Sequence, residues 1–214
     1  MKRLQSNLLN MVLSLTLVTL VAAGILGSIY TLTKEPIEKA ETEKTQKAIT
    51  AVLPQLEGMR LDEGKSIGNL TVHTAYVGEE LAGYAVEADT RENKNKPFGG
   101  NFKLMIGFDP DGSVIQYSVI NQQETPGLGA KMTNWFNEKD KPARCILGRE
   151  IALKPLAVTK DGGDVDAITA ATITSRAFLE VIQNAHDILF ARPMTGETEE
   201  TNVIQEASEQ DEAL

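Results

Sequence analysis

The residues best placed to do chemistry form a cluster of hydroxyl-bearing and small side chains towards the C-terminal end of the chain. Residues 166–175 read DAITAATITS, at the predicted start of the last helix. The first N–H groups of a helix have no partner within it, so a helix N-terminus is a ready anion site. Small residues at Ala170 and Ala171 would let a phosphate approach the backbone and the Thr172 hydroxyl. The pattern therefore predicts a site for a phosphorylated ligand or, in a plainer interpretation, only an N-cap formed by Thr172 or Thr174.

A glycine-rich loop is the second candidate for ligand binding. Residues 124–129 read ETPGLG, and Pro126 followed by Gly127 predicts a sharp turn. Such a turn would present Glu124 and Thr125 to the polar edge of a ring. The alternative is a turn with a structural role only.

The two motifs, taken together, resemble those of the FMN-binding domain family, found in the G subunit of the Rnf electron-transport complex and the C subunit of the sodium-pumping NADH:quinone oxidoreductase. The string DAITAATITS is similar to the family's flavinylation motif, Asp-x-x-Ser/Thr-Gly-Ala-Thr, and residues 124–129 match its ETPGLG loop, which lies against the flavin. The resemblance implies that a flavin transferase using FAD esterifies Thr172 to the phosphate of FMN. Asp166 begins the motif and Thr169 is its hydroxyl residue. The chain departs from the motif at Ala170, where the family usually has glycine.

The same resemblance implies a wider set of cofactor-binding residues. Besides Thr172, these are Glu124, Thr125, Gly127, Leu128, Lys154, Thr169, Ala170 and Ala171. Lys154 is included because the related quinone-reductase subunit carries a lysine near the flavin, where a cation would stabilise negative charge on the reduced ring or the phosphate. By its type alone, Lys154 is equally well a solvated strand residue. Gly99 and Gly100 match the family's glycine-rich entry to the following strand.

The side chains elsewhere predict neither a metal centre nor a nucleophile. His73 and His186 are too far apart in sequence to suggest a metal pair, and Cys145 has no recognisable partner base. The turn DGGD at residues 161–164 lacks the later glutamate of a calcium-binding loop. Three aromatic residues are candidates to stack on a flavin ring, although core packing is the favoured role for each, namely Tyr117, Trp135 and Phe136.

Hydrophobic patterning predicts the elements that must position these motifs. Alternating residues over 102–108, an Asp-Pro-Asp-Gly turn and the apolar run 114–120 predict a β-hairpin. Residues 70–88 predict two further strands around a break at 78–80. From residue 172 onward, apolar side chains recur at helical spacing and predict an amphipathic helix. The fold class expected is therefore α+β, with a largely antiparallel sheet packed by helices.

An apolar segment near the N-terminus predicts a membrane anchor. Residues 11–32 are dominated by Leu, Val, Ile and Ala, and a helix of this length covers roughly 33 Å, against a hydrocarbon core of about 30 Å. The alternative is a signal peptide cleaved near the small residues 22–27. Because Lys2 and Arg3 precede the span, the positive-inside bias places the N-terminus in the cytoplasm. The rest of the chain is then periplasmic, and the protein is a single-pass protein of the inner membrane.

The remaining segments complete the predicted domain organisation. A stalk helix is expected to start near Pro36 and to end at Pro54 and Gly58. The C-terminal tail has seven acidic residues and no Lys or Arg, which predicts disorder. The expected boundaries are 1–33 for the cytoplasmic stub and transmembrane helix, 34–58 for the stalk, 59–193 for the FMN-binding domain and 194–214 for the tail.

Composition and resemblance together predict the function. With 214 residues, one cysteine and a net charge of -9, the chain fits one modest domain plus appendages, has no internal disulfide and is unsuited to nucleic acid. The resemblance implies an electron-transfer subunit of an Rnf-type complex, which couples ferredoxin and NAD redox chemistry to ion transport through covalent FMN and other membrane subunits. Two alternatives stay open: a covalent-FMN subunit of a sodium-pumping NADH:quinone reductase or a stand-alone flavoprotein, and a flavin-free membrane-anchored assembly protein.

Overall fold

The structure, a computed structural model, describes residues 8–54 and 56–191. It divides near residue 50 into two compact units. Two features used in the sequence predictions lie outside the described residues, namely the basic pair Lys2 and Arg3 and the acidic tail over residues 194–214.

The N-terminal element is one long helix, α1, over Leu8–Val52. Its apolar part is fully exposed within the described protein, and the helix is long and apolar enough to cross a membrane. The structure differs from the separate stalk helix expected to begin at Pro36, because α1 continues through this residue. Proline removes one backbone hydrogen bond, but strong helix formers flank it and the Glu35–Lys39 ion pair at 2.7 Å spans it. The helix ends at Val52, two residues before Pro54.

The C-terminal unit is built on a six-stranded antiparallel sheet, which confirms the predicted fold class. The strands are β1 (Met59–Leu61), β2 (Lys65–Ile67), β3 (Leu70–Val77), β4 (Glu80–Asp89), β5 (Lys103–Phe108) and β6 (Val114–Asn121). Their order is β1-β3-β4-β5-β6, and β2 pairs with β3 beyond the end of β1. The β3–β4 and β5–β6 pairs are the two predicted strand pairs.

Strand β5 is buried on both faces of the sheet. Leu104, Met105 and Ile106 are all fully buried, although the first and last lie on one face and Met105 on the other. On this strand Gly107 lies directly against the Val52 carbonyl, and a Cβ there would overlap that oxygen. The glycine therefore permits the close approach of the chain at residue 52 to the sheet.

The predicted amphipathic helix is present as α3, Thr172–Ala191. Phe178 anchors it, because its ring contacts three core aromatic rings at centroid distances of 6.3, 4.9 and 4.5 Å, namely Phe102, Tyr117 and Phe136. The docking of α3 on the sheet fixes where its N-terminus lies.

The segment between β6 and α3 is mostly irregular. It contains a short helix, α2 (Met132–Trp135), and two single 3₁₀ turns over Gly129–Lys131 and Thr159–Asp161. The Tyr117 hydroxyl donates to the Met132 carbonyl at 2.6 Å and accepts from the Phe136 amide at 3.2 Å. Burial raises the pKa of this phenol, which keeps it neutral and able to donate. These bonds tie the irregular segment to the sheet.

Candidate functional site

Both sequence motifs line one cavity of about 370 Å³ in the C-terminal unit. The cavity is formed by three segments that are far apart in sequence: Phe98, the loop containing Glu124, Thr125, Leu128 and Gly129, and the start of α3 with Ala170, Ala171, Thr172, Ile173 and Thr174. Its volume lies within the range of about 300–1,000 Å³ that is usual for ligand pockets. The fold thus brings together the two motifs that the sequence singled out.

The N-terminus of α3 supplies backbone donors to this cavity. The amide of Ser175 donates to the Ala171 carbonyl at 3.0 Å, as the first hydrogen bond of the helix. The N–H groups of residues 172–174 therefore have no acceptor within the helix. The Ser175 hydroxyl, fully buried, accepts from the Ile168 amide at 2.9 Å and donates to the Ala171 carbonyl at 3.0 Å. These bonds fix the turn that leads into the helix.

Ala170 lies in this turn in a left-handed conformation, with φ of +62°. No other non-glycine residue has a positive φ in the described parts of the chain. An L-residue in this region costs about 1–2 kcal/mol because its Cβ approaches the following carbonyl oxygen. The turn thus has the backbone geometry of a glycine at the position where the related motif usually has glycine.

Glu124 joins two of the segments that form the cavity. The side chain is only 5% exposed, and its Oε1 accepts a hydrogen bond from the Gly99 amide at 2.9 Å. The absence of a side chain at Gly129 makes room for this carboxylate, because a Cβ there would overlap it. A Cβ on Gly99 would overlap the Gln123 carbonyl. Gly99 and Gly129, which belong to the two glycine-rich segments of the sequence, are therefore required by close packing around Glu124.

Three large apolar side chains in the cavity wall are exposed. The exposed fraction is 78% for Phe98, 41% for Leu128 and 52% for Ile173. Phe98, Ile173 and Thr174 also line the cavity, although neither motif predicted them as cofactor-binding residues. The signal for Phe98 was an aromatic residue directly before the Gly99-Gly100 pair, whereas Ile173 is hidden within the apolar repeat of α3.

Lys154 lies in a turn rather than a strand, and it does not line the cavity. Its Nζ is 3.0 Å from Asp164, which also pairs with Arg149 at 2.6 Å. Although burial opposes it, hydrogen bonds from both cations lower the pKa of Asp164. Similarly, Arg176 in α3 donates to both carboxylate oxygens of Asp161 at 2.6 and 2.7 Å and lowers its pKa. Arg149, Lys154 and Arg176 are thus each paired with an aspartate.

The remaining predicted residues adjoin the cavity without lining it. Thr169 is exposed in the turn directly before Ala170. Gly127 is exposed at the tip of the 124–129 loop, where its φ of +79° requires glycine. Both residues shape the segments that form the cavity wall.

The aromatic candidates have structural roles outside the cavity. Trp135 donates from Nε1 to the Asp166 carbonyl at 2.8 Å, and the Arg144 guanidinium lies 3.6 Å from the centre of its ring. Trp135 therefore supports the start of the 166–175 motif. Phe136 and Tyr117 are buried in the core.

The described residues contain no group of three or more His, Cys, Asp or Glu side chains that could hold a metal ion. His186 is buried, and its ring contacts Phe108 and Phe190. Cys145 is a half-buried free thiol.

Comparison with known proteins places the cavity within a defined domain. Residues 98–187 match the family described as FMN-binding domain. The chain is 32% identical over 179 residues to the G subunit of the ion-translocating oxidoreductase complex of Haemophilus influenzae (strain PittEE), an alignment covering 75% of this chain and 78% of that protein. It is 28% identical over 191 residues to the protein of the same name in Aliivibrio fischeri (strain MJ11), covering 81% and 86%. The corresponding protein of Methanosarcina acetivorans is 28% identical over 185 residues, covering 85% of this chain and 94% of its own length.

Proposed function

The chain belongs to the family of G subunits of ion-translocating oxidoreductase complexes, and we propose that it passes electrons within such a complex through an FMN esterified to Thr172. Its C-terminal unit contains an FMN-binding domain, and its N-terminal helix anchors it in a membrane. It is therefore a redox subunit that works with the other subunits of its complex.

The observation that carries the proposal is the position of Thr172. This residue is the first of a 20-residue helix and also lines the cavity. Its side chain is half-buried. The backbone N–H groups of residues 172–174 at the same helix end have no acceptor within the helix. The positive end of the helix dipole adds to the attraction for a phosphate at this point.

The chemistry of the cavity fits FMN. The helix N-terminus suits the phosphate, and the exposed apolar side chains of Phe98, Leu128 and Ile173 suit the apolar part of the flavin ring. Thr125 and Glu124 add polar groups in the wall of the same cavity. When bound, the flavin supplies the capacity to take up and pass on one or two electrons at a time. The chain's own residues would hold it, with the helix N-terminus at the phosphate and the apolar side chains at the ring.

Attachment requires a second protein, for which we propose a flavin transferase that uses FAD. In this reaction the Thr172 hydroxyl oxygen forms a bond to the phosphorus of the FMN half, AMP leaves with the bridging oxygen, and the hydroxyl proton passes to the solvent. The exposure of Thr169 and Ala170 beside Thr172 leaves the attachment point open to an enzyme. The preceding left-handed turn presents the hydroxyl at the end of the helix.

We further propose that the flavin domain lies in the periplasm and the N-terminus in the cytoplasm, with α1 crossing the inner membrane. Support comes from Lys2 and Arg3, which precede the apolar residues, and from the positive-inside bias. A covalent bond suits this location, since a cofactor lost outside the cytoplasm is not readily replaced.

The test is in-gel flavin fluorescence after denaturation, combined with intact mass, on the full chain produced together with a flavin transferase. Wild type is expected to retain fluorescence and to gain the mass of one FMN less one water. Thr172→Ala is expected to lose both. Thr159→Ala, a matched loss of an exposed threonine outside the cavity, is expected to behave as wild type.

Two results would contradict the proposal. Fluorescence that persists in Thr172→Ala would mean that FMN is attached elsewhere. A wild-type chain without flavin, in a host shown to modify a control flavoprotein, would favour a flavin-free assembly protein instead.

A further inference from the structure

We propose that Phe98 is the aromatic side chain that contacts the flavin ring, and that Glu180 and Asn93 are positioning residues that hold its loop against α3. This inference rests on the proposed function. It assigns roles to three residues that lie outside both sequence motifs.

Phe98 is placed unlike the other phenylalanines of the C-terminal unit. Core phenylalanines such as Phe136 and Phe178 pack ring against ring, whereas Phe98 is 78% exposed and makes no ring contact within the described residues. Its backbone neighbours are nevertheless fixed, because Pro97 is buried and the Gly99 amide donates to Glu124. A firmly held backbone thus carries an uncovered aromatic side chain at the cavity.

The surroundings of Phe98 indicate a ligand rather than chance exposure. A single exposed apolar residue on a protein surface needs no explanation. Here, however, Phe98, Leu128 and Ile173 come from three separate segments and line the same cavity. Phenylalanine offers a flat apolar face with few rotatable bonds, and this suits a planar ring system. The flavin ring is the group in the proposed function that has this shape.

Glu180 attaches the Phe98 loop to α3. Its Oε1 accepts a hydrogen bond from the Lys94 amide at 2.5 Å, and its Oε2 accepts from the Asn95 amide at 2.9 Å and from the Asn95 side chain at 2.5 Å. Hydrogen bonds to an ionised carboxylate are roughly twice as strong as those between neutral groups. One side chain therefore orders two consecutive residues of the loop.

Asn93 supplies a second attachment to the same helix. It is 4% exposed, and its Nδ2 donates to the Ala177 carbonyl at 2.9 Å. Asn184 donates to its Oδ1 at 3.4 Å. The buried side chain of Asn93 thus attaches the loop to α3 at a second point, one residue before Lys94.

Through these attachments α3 positions both the residue proposed to hold the phosphate and the residue proposed to contact the flavin ring. The helix begins with Thr172, which is proposed to hold the phosphate, and Glu180 follows it by eight residues, or roughly 12 Å along the axis. The loop fixed by Glu180 then leads to Phe98 within four residues. The placement of Phe98 relative to Thr172 consequently depends on the hydrogen bonds of Glu180 and Asn93.

The experiment measures quenching of the flavin fluorescence by iodide, at constant ionic strength, in the flavinylated full chain in detergent. Phe98→Ala is expected to raise the Stern–Volmer constant at least twofold, and Phe98→Tyr is expected to restore the wild-type value. Glu180→Ala is also expected to raise the Stern–Volmer constant. The double variant is expected to match Phe98→Ala, since Glu180 acts through Phe98.

Two variants serve as matched controls. Leu153→Ala removes a side chain that is 79% exposed and does not line the cavity. Glu92→Gln removes an exposed carboxylate from the same loop. Both are expected to leave the quenching unchanged. Hydrogen exchange at the Lys94 and Asn95 amides gives a readout without flavin and is expected to accelerate in Glu180→Ala.

Intact mass in every sample separates the two proposals. Unflavinylated wild type overturns the proposed function and this inference with it. If wild type carries FMN but Phe98→Ala has the same Stern–Volmer constant as wild type, only the contact assigned to Phe98 is overturned. Additive effects in the double variant, or unchanged exchange in Glu180→Ala, would overturn the positioning role of Glu180.

Discussion

At the scale of single residues, the left-handed conformation of Ala170 is the feature with a direct energetic consequence. The residue lies two positions before Thr172, in the turn that starts α3. Its strain persists because the hydrogen bonds of Ser175 on both sides of the turn leave the backbone little freedom. The sequence showed the departure from the motif, and the structure gives its physical meaning.

We expect Ala170→Gly to raise the free energy of unfolding by about 0.5–1 kcal/mol. The change relieves roughly 1–2 kcal/mol of steric strain but also makes the unfolded chain more flexible, which offsets part of the gain. Denaturant unfolding of the full chain in detergent measures this difference.

Ala171→Gly is the matched control for this prediction. Ala171 has no positive φ and is 9% exposed, so the same chemical change there should give no gain. A stabilisation by Ala171→Gly as large as that by Ala170→Gly would contradict the explanation from backbone strain.

At the scale of elements, α3 positions the site because it contributes to both parts of it. Its first turn carries Thr172, and Glu180 further along accepts hydrogen bonds from Lys94 and Asn95. The helix itself is located by Phe178, which contacts the rings of Phe102 and Phe136. Phe178 is therefore one of the buried α3 side chains whose packing fixes where the helix, and with it the cavity, lies.

Truncation of this anchor tests the dependence of the site on α3. Phe178→Ala is expected to lower the free energy of unfolding by about 3–5 kcal/mol, because it leaves a cavity among the core rings. It should also reduce the yield of flavinylated chain, as measured by intact mass. Truncation of the exposed Leu153 should change stability by no more than about 0.5 kcal/mol. Equal effects of the two substitutions would contradict the anchoring role.

At the scale of the whole molecule, the proposed orientation across the membrane can be tested with the single cysteine of the chain. Cys145 is half-buried in the flavin domain, where it lines a surface pocket. We expect a membrane-impermeant maleimide to label Cys145 in intact spheroplasts, since the proposal places this domain in the periplasm.

A cysteine at the other end of the chain provides the comparison. In a Cys145→Ser background, Ser6→Cys precedes the apolar residues and should be labelled only after the membrane is permeabilised. The proposed orientation would be reversed if intact spheroplasts gave labelling of Ser6→Cys but no labelling of Cys145 in the wild-type chain. Recovery of the chain in the soluble fraction would instead favour cleavage of the N-terminal segment.

The sequence by itself determined the features that depend on local patterns. The β3–β4 and β5–β6 pairs, the amphipathic α3 and the apolar part of α1 all follow from the spacing of apolar side chains and from turn residues within a few positions. The 124–129 and 166–175 motifs were also readable, because each is contiguous. The role of Thr172 as an attachment point remains a prediction from its motif.

Only the tertiary structure decided which distant residues meet. No periodic signature marks the approach of Phe98 to the two motifs or the pairing of Lys154 with Asp164. The same is true of the hydrogen bonds that Glu180 accepts from the amides of Lys94 and Asn95, 86 and 85 residues away. They arise because the packing of α3 on the sheet brings separate segments together, and this packing sums contacts over the whole core. The continuation of α1 through Pro36 is a separate case, because there local helix formers and the Glu35–Lys39 ion pair outweigh the hydrogen bond that proline removes.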